Sequence, residues 1–196
     1  LGVRVIQAVG RFVDAETVEA GGEKIKARRF VVATGSSPSA PPIPGLDKVD
    51  YLTNETIFLN TSLPKDLIII GGGPIGMEMA QAHGRLGANV TVLEAFDPLG
   101  KDDPELTSVV LDHLRDEGVT ILAQAKISNI SQSKVGIAID LEHEGDQKTI
   151  KGSHLLVAAG RKPNVDGLNL EAAGIAYERR GITVDDGLRT TNRKVY

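Results

Sequence analysis

The sequence predicts an α/β protein built around a parallel sheet, and three stretches carry that prediction. L-I-I-I-G-G-G-P-I-G-M-E-M-A, Leu67 to Ala80, is an apolar run that meets three glycines and continues with helical spacing. N-V-T-V-L-E, Asn89 to Glu94, is a second apolar run, and V-T-I-L-A from Val119 is a third. A continuous apolar run of this length fits a strand covered on both faces, as in a parallel sheet. Strand, helix and strand in so short a span make a βαβ unit, right-handed by default.

Taken in order, the chain opens with runs that read as strands: V-R-V-I, R-F-V-D and R-F-V-V-A, with the turn E-A-G-G-E before the last. This predicts a β-meander over 3–33. S-S-P-S-A-P-P-I-P-G follows, Ser36 to Gly45, with four prolines in ten residues. Such a stretch predicts a stiff connector at a domain boundary. A helix is expected from Ile75 to Leu86, with Ile75, Met79, Ala82 and Leu86 along its buried stripe. A second helix is expected after Asp103, its N-cap, with Pro104 as first residue and Gly118 as its stop. Leu106, Val110 and Leu114 line one of its faces. V-G-I-A-I-D-L and L-L-V-A-A then read as strands with no helix between them, which predicts an antiparallel excursion before the sheet resumes. F-V-V-A-T-G-S-S-P (30–38) is echoed by L-L-V-A-A-G-R-K-P (155–163), as expected of a chain that leaves one domain and returns to it.

The totals limit the function classes. The chain has 196 residues, 41% hydrophobic and 24% charged, with 22 basic against 26 acidic residues and a net charge of −4. No basic run is present to track a phosphate backbone, so nucleic acid is not an expected partner. The apolar runs are too short to span a bilayer, and no signal peptide is visible. There is no cysteine, which excludes a disulfide or cysteine zinc site within these residues and fits a reducing, cytoplasmic setting. The four histidines, His83, His113, His143 and His154, show no metal-ligand spacing. No G-x-S-x-G is present for a serine hydrolase.

Gly71, Gly73 and Gly76 form G-x-G-x-x-G between a predicted strand and a predicted helix. In that context the first glycine allows the tight turn. The second lets a pyrophosphate approach the backbone, and the third lets helix and strand pack closely. The helix N-terminus offers N–H groups and partial positive charge to that pyrophosphate. Glu94 closes the second strand about twenty residues further on, where a carboxylate accepts from the ribose hydroxyls of NAD and repels the 2′-phosphate of NADP. No arginine follows in A-F-D-P-L-G, and Lys101 comes late, so NADH is favoured over NADPH. Glu78 is placed on the first turn of the same helix, where the helix dipole alone accounts for a carboxylate as well as a ligand does.

A-T-G-S-S-P, P-P-I-P-G, I-I-I-G-G-G-P-I-G-M-E-M-A, V-T-V-L-E, A-A-G-R-K-P-N and I-T-V-D-D-G-L-R-T-T occur in that order. Together they resemble the middle of a flavin-dependent pyridine nucleotide-disulfide oxidoreductase. The closest look is to the dihydrolipoamide dehydrogenase and mercuric reductase branch, and the resemblance covers essentially the whole chain. It implies a Rossmann-like NAD(P)-binding domain, a parallel sheet with a β-meander crossover, flanked by partial FAD-domain β segments. In those terms 1–38 and 161–196 belong to the FAD domain, 39–61 is a connector, and 62–160 is the inserted NAD domain.

The resemblance also implies roles. The stretch Gly71, Gly72, Gly73, Pro74, Ile75, Gly76, Met77 and Glu78 would wrap the NAD pyrophosphate and reach toward the nicotinamide, with Glu78 at the flavin–nicotinamide contact as the catalytic candidate. Glu94 would hold the adenosine ribose, Ile127 would lie against the adenine, and Gly160 would sit near the nicotinamide end. Thr34, Gly35 and Ser36 would touch FAD. Some members carry a tyrosine gate where this chain has Pro74, so that gate is not expected here. The smaller thioredoxin reductases carry C-x-x-C in the NAD domain, which this chain lacks.

The function implied is passage of a hydride between NAD(H) and FAD, and of electrons to a disulfide or other small acceptor. The full-length parent is expected to be a homodimer. The redox cysteine pair and the flavin fingerprint are expected outside these 196 residues. Alternatives are a flavin NADH oxidase or ferredoxin-reductase-like enzyme without a redox disulfide, and a non-catalytic NAD-binding module. A short-chain dehydrogenase does not fit, because Tyr51 and Tyr177 are followed four residues later by Glu55 and Gly181 instead of lysine.

Overall fold

The computed structural model describes residues 2–134 and 136–196. It divides into two compact units, 1–37 with 161–196, and 38–160.

In the first unit β1 (Gly10–Asp14), β2 (Thr17–Ala20) and β3 (Glu23–Lys26) form an antiparallel meander. Gly21 and Gly22 both take positive φ, 59° and 80°, which makes the two-residue hairpin loop that pairs Ala20 with Glu23. That turn demands a strand directly after it. The third strand is therefore E-K-I-K, not the R-F-V-V-A expected from hydropathy. Val3 and Val5, expected in a strand, are exposed and unpaired in the meander. Phe30 and Val32 instead lie beside the C-terminal end of the chain. Phe30 N–H donates to the Lys194 carbonyl (2.8 Å), Val32 N–H to that of Tyr196 (2.7 Å), and Tyr196 N–H to that of Phe30 (2.9 Å). Phe12 and Phe30 meet edge-on, centroids 5.6 Å apart, over a core of Leu170, Ala173, Ile175 and Val195. β4 (Ser36–Pro38) closes this arm.

The second unit is a sandwich of three layers. β5 (Asp66–Ile70), α1 (Pro74–Arg85), β6 (Asn89–Leu93), α2 (Pro104–Asp116) and β7 (Thr120–Leu122) run in βαβαβ order. β8 (Lys126–Ser133), β9 (Gly136–His143) and β10 (Asp146–Gly152) make the antiparallel excursion. Val135, expected at the start of its middle strand, lies outside the described residues. β11 (His154–Val157) then returns beside β5, giving a parallel sheet of order β11-β5-β6-β7. Alternate residues of each strand serve opposite faces. Leu67, Ile69, Val90, Val92 and Leu156 pack on Met77, Ala80 and Leu114 of the helices. Ile68, Ile70, Leu93, Leu155 and Val157 pack on Ile130, Ile137, Ile139 and Leu141 of the meander. Both faces of the sheet are thereby covered, which is why its strands read as unbroken apolar runs.

The buried stripe of α1 differs from the expected one. Gly76, Met77 and Ala80 are buried, whereas Leu86 is 69% exposed. Small residues at 76, 80 and 84 bring the helix close to the sheet, a signal that hydropathy alone does not register. α2 begins as expected: the Asp103 carboxylate accepts from Glu105 N–H at 2.9 Å, and Gly118, φ 89°, follows its end. Only Leu114 of its expected face is fully buried, while Leu106 is 70% exposed.

All four prolines of the stretch lie in this second unit, which begins at Pro38. Leu46 and Val49 enter the meander-side core and Ile57 the helix-side core. Leu52 adds a rung to the outer edge of β11: its N–H donates to Leu155 O (2.7 Å) and its carbonyl accepts from Val157 N–H (2.8 Å). This covers an otherwise open sheet edge.

The chain returns to the first unit through β12 (Arg161–Pro163), which pairs with β4. The tails of the two echoed segments are thus hydrogen-bonded neighbours. β13 (Tyr177–Glu178) and β14 (Gly181–Ile182) form a final hairpin.

Candidate functional site

β5 ends at Ile70, and three glycines separate it from α1. Gly71 has φ 112°, and a Cβ there would lie 2.6 Å from the Ala158 carbonyl oxygen. Gly76 is under a harder constraint: its Cβ would lie 1.9 Å from the Gly71 oxygen. A Cβ on Gly72 would press on that of Glu94 at 2.9 Å. Gly73 differs from all three. Its backbone, φ −78° and ψ −177°, suits any residue, and a Cβ there would meet no atom within 4 Å. Nothing in the protein requires glycine at 73. Gly73 is also the N-cap of α1, with no side-chain cap on the helix amides and Pro74 as first residue.

The glycine loop is held by the segment after β6. Gly72 N–H donates to Glu94 Oε2 at 2.6 Å, and the Gly72 carbonyl accepts from Leu99 N–H at 2.9 Å. Leu99 reaches that position in the left-handed region, φ 53°. Glu94 is fixed in turn: its other oxygen accepts from Phe96 N–H at 2.9 Å, its own N–H donates to Leu122 O, and its carbonyl accepts from Ala125 N–H. A carboxylate offers about four acceptor sites. Two are engaged inside the protein, which leaves capacity for hydroxyls from outside.

Above the carboxyl ends of the strands lie two adjoining clefts of about 490 and 440 Å³. Both are lined by Gly73, Glu94, Phe96 and Ala159. The first runs along Asp97, Lys101 and Asp102. The second is mostly apolar and runs along Ala125 to Ile127. This is the crevice outside the strand ends where open α/β sheets take their ligands.

The structure therefore brings Gly71, Gly72, Gly73, Pro74, Glu94 and Ile127 to one crevice. The other candidates lie elsewhere. Met77 is buried in the helix-side core and its N–H donates to the Gly73 carbonyl. Ile75 and Gly76 belong to the packed first turn. Glu78 is exposed and lines an apolar groove of about 330 Å³ between α1 and α2, which meets the first cleft at Pro74, Leu99 and Asp102 but includes neither Gly73 nor Glu94. It is the fifth residue of α1, beyond the first turn that the dipole argument required. The Gly160 carbonyl accepts from Ser39 N–H at 3.0 Å, and its neighbour Ala159 lines the crevice instead.

Thr34, Gly35 and Ser36 belong to the first unit and are tied to the return strand. The Thr34 hydroxyl donates to Asn164 O (2.7 Å), and Asn164 donates to the carbonyls of Thr34 and Gly35, both at 3.0 Å. Arg161 Nε donates to the Ser36 hydroxyl at 2.7 Å. Sequence reasoning missed Phe96, Leu99 and Asp102, and it discounted Lys101. All come to the crevice through a loop whose turn at Leu99 no sequence signal marks. Among the described residues no group of three or more His, Asp or Glu side chains is placed to hold a metal ion, and no helix is long and apolar enough to cross a membrane.

The family model for pyridine nucleotide-disulphide oxidoreductases matches residues 1–196. The chain belongs to this family. Among curated members it is 40% identical over 194 residues to a mercuric reductase of Lysinibacillus sphaericus, covering 98% of this chain and 36% of that protein. It is 32% identical to a dihydrolipoyl dehydrogenase of Geobacillus stearothermophilus, covering 99% of this chain and 42% of the other. Among solved structures, the HOCl-induced flavoprotein disulfide reductase RclA from Escherichia coli superposes with a TM-score of 0.84 at 31% identity, over 98% of this chain and 44% of that one. The chain thus spans 36–44% of the length of these relatives.

Proposed function

We propose that the 38–160 unit binds NAD(H), and that the chain is the NAD(H)-binding portion of a flavin-dependent oxidoreductase. The observation that carries this reading is Gly73. It sits at the uncapped N-terminus of α1, beside a fixed carboxylate, and no atom of the protein requires its missing side chain. A pyrophosphate laid there accounts for the glycine, because a Cβ would fill the space the phosphate needs.

In this reading the residues act by binding and orienting. Gly73 and the first amides of α1 take the pyrophosphate. Glu94, held at both oxygens by Gly72 and Phe96 N–H groups, presents its remaining acceptor sites to the adenosine ribose hydroxyls. Ile127 supplies apolar wall. Thr34, Gly35 and Ser36, ordered by Arg161 and Asn164, form the segment assigned to FAD. Held by these residues, NADH would supply hydride chemistry for a flavin of the whole protein, whose electrons would serve a disulfide-type acceptor. The pyridine nucleotide-disulphide oxidoreductase family and the flavoprotein disulfide reductase RclA are named for chemistry of that kind.

Preference for NADH over NADPH follows from charge. Glu94, Asp97 and Asp102 line the same cleft as the single Lys101, so a 2′-phosphate meets net repulsion. The test is calorimetric titration of the chain with NADH and NADPH, for the wild type and Glu94→Gln. The reading expects tighter binding of NADH and a narrowed gap in the variant. Equal affinity of the wild type for both would overturn the preference, and no saturable binding of either would overturn the site.

A further inference from the structure

We propose that Phe96 is the platform on which the adenine ring of the dinucleotide stacks, an inference that rests on reading the crevice as a dinucleotide site. Four observations carry it. Phe96 lines both clefts, at the point where they join beside Glu94. Its side chain is 78% exposed, an unusual place for a large apolar ring. Its backbone, by contrast, is fixed on both sides. The Phe96 N–H donates to Glu94 Oε1 at 2.9 Å, and its carbonyl accepts from Gln124 N–H at 3.2 Å. The Phe96 ring thus stands on a rigid base and packs into no core cluster. The wall beside it is apolar, with Ala125 and Ile127 lining the same cleft.

Exposure alone does not single out Phe96, since Phe58 is 70% exposed. Phe58 lines a different pocket, with Leu63 and Leu86, and no carboxylate lines that pocket with it. Of these two exposed phenylalanines, Phe96 alone has a carboxylate beside it that can accept from ribose. A purine attached to a ribose held at Glu94 lies within a few ångströms of that ring, because base and sugar share one bond. A flat aromatic face accepts any purine, so the site assigns ring stacking without base-edge readout. Ile127, placed against the adenine by family resemblance, then serves as the opposing apolar wall.

The experiment uses the full chain and three probes: NADH, AMP and reduced nicotinamide mononucleotide. Affinities are measured by calorimetry for the wild type, Phe96→Ala, Phe96→Leu and Phe96→Tyr. Proton spectra of AMP follow the adenine H2 and H8 signals. Stacking predicts that Phe96→Ala and Phe96→Leu weaken AMP and NADH about tenfold, while Phe96→Tyr retains affinity. The mononucleotide should bind all four proteins alike. The wild type should shift adenine H2 and H8 upfield by ring current, and Phe96→Ala should abolish that shift. Since the ring touches no core, the melting curves should coincide. If the wild type binds NADH and Phe96→Ala binds NADH and AMP equally well, the platform is overturned while the dinucleotide site stands. If Phe96→Leu matches the wild type, apolar bulk and not stacking is at work, and the proposal fails. If the wild type binds neither NADH nor AMP, the site reading and the platform fall together.

Discussion

Gly73 and Gly76 stand three residues apart and answer to different demands. At Gly76 a methyl group would enter the Gly71 carbonyl, 1.9 Å away. Gly76→Ala should therefore destabilise the fold, by about 1–3 kcal/mol or more in urea unfolding, as overpacking does. At Gly73 a methyl group meets nothing in the protein. Gly73→Ala should keep the wild-type unfolding midpoint and lose NADH affinity by about tenfold or more. Glu94 combines both kinds of role. Its carboxylate fixes the Gly72 and Phe96 amides and, in the proposed function, the ribose. Glu94→Ala should lower stability by about 1–3 kcal/mol, since two amides lose a charged acceptor. It should also weaken NADH, whereas Glu94→Gln should retain more of the stability than of the discrimination against NADPH. These residues were legible in the sequence because their spacing carries a mechanism. Lys101 was not legible because it follows the turn through Leu99, in a left-handed conformation that leucine seldom takes, and Phe96 was not because its place is set by hydrogen bonds of its backbone to Glu94 and to the distant Gln124.

The elements that position the crevice divide by how their burial is distributed. β5, β6 and β11 announce themselves because both sheet faces are covered and their central residues are apolar, Thr91 apart. β8 and β10 are mostly polar, with Ile127 and Ile130 in one and Ile150 in the other, and expose much of their length, so K-I-S-N-I-S-Q-S and D-Q-K-T-I-K-G did not read as strands. The first meander was misplaced for a related reason. Hydropathy favoured V-R-V-I and R-F-V-V-A, but the Gly21–Gly22 turn decides the pairing and selects E-K-I-K. α1 was found in the right place with its buried stripe only partly right: Met79 packs against the helix-side core, but Leu86 is exposed, and the close approach depends on Gly76 and Ala80. α2 shows what a legible signal contributes. Asp103→Ala removes the acceptor of Glu105 N–H and should cost about 1 kcal/mol in thermal unfolding. Because the Asp103 side chain lines neither cleft, NADH affinity should not change. A loss of NADH binding in a fully folded Asp103→Ala protein would show that the crevice depends on α2 more than the contacts indicate.

At the scale of the whole molecule, the two units should respond differently to acid. In the first unit, Glu16 N–H beside Asp14, the Lys194 ammonium beside Glu16, the Tyr177 hydroxyl on Glu171 and Arg189 N–H beside Asp185 hold four carboxyls below their ordinary values. In the second unit Arg85 does the same for Glu117. A carboxyl depressed on folding stabilises the native state above its unfolded value. That contribution is lost as pH falls through the lower folded value. The ordinary values are 3.8 for the aspartates and 4.5 for the glutamates, so the loss belongs below about pH 4.5. All five groups are at the surface, where such pairs are weak and screened. Hydrogen exchange at falling pH should show 2–37 and 161–196 losing protection before 66–93 and 154–157. Earlier opening of the parallel sheet would contradict this.

The division into units also sets what must be tested first. In the proposed function, an uncapped helix start, an unneeded glycine and a fixed carboxylate together make the dinucleotide site. The most direct measurement is a calorimetric titration of the wild-type chain and Gly73→Ala with NADH, alongside their melting curves. A dinucleotide site at Gly73 predicts saturable binding by the wild type, binding weakened about tenfold or more in Gly73→Ala, and coincident melting. Equal NADH affinity in the two proteins would contradict it, because Gly73 would then serve neither the fold nor the ligand.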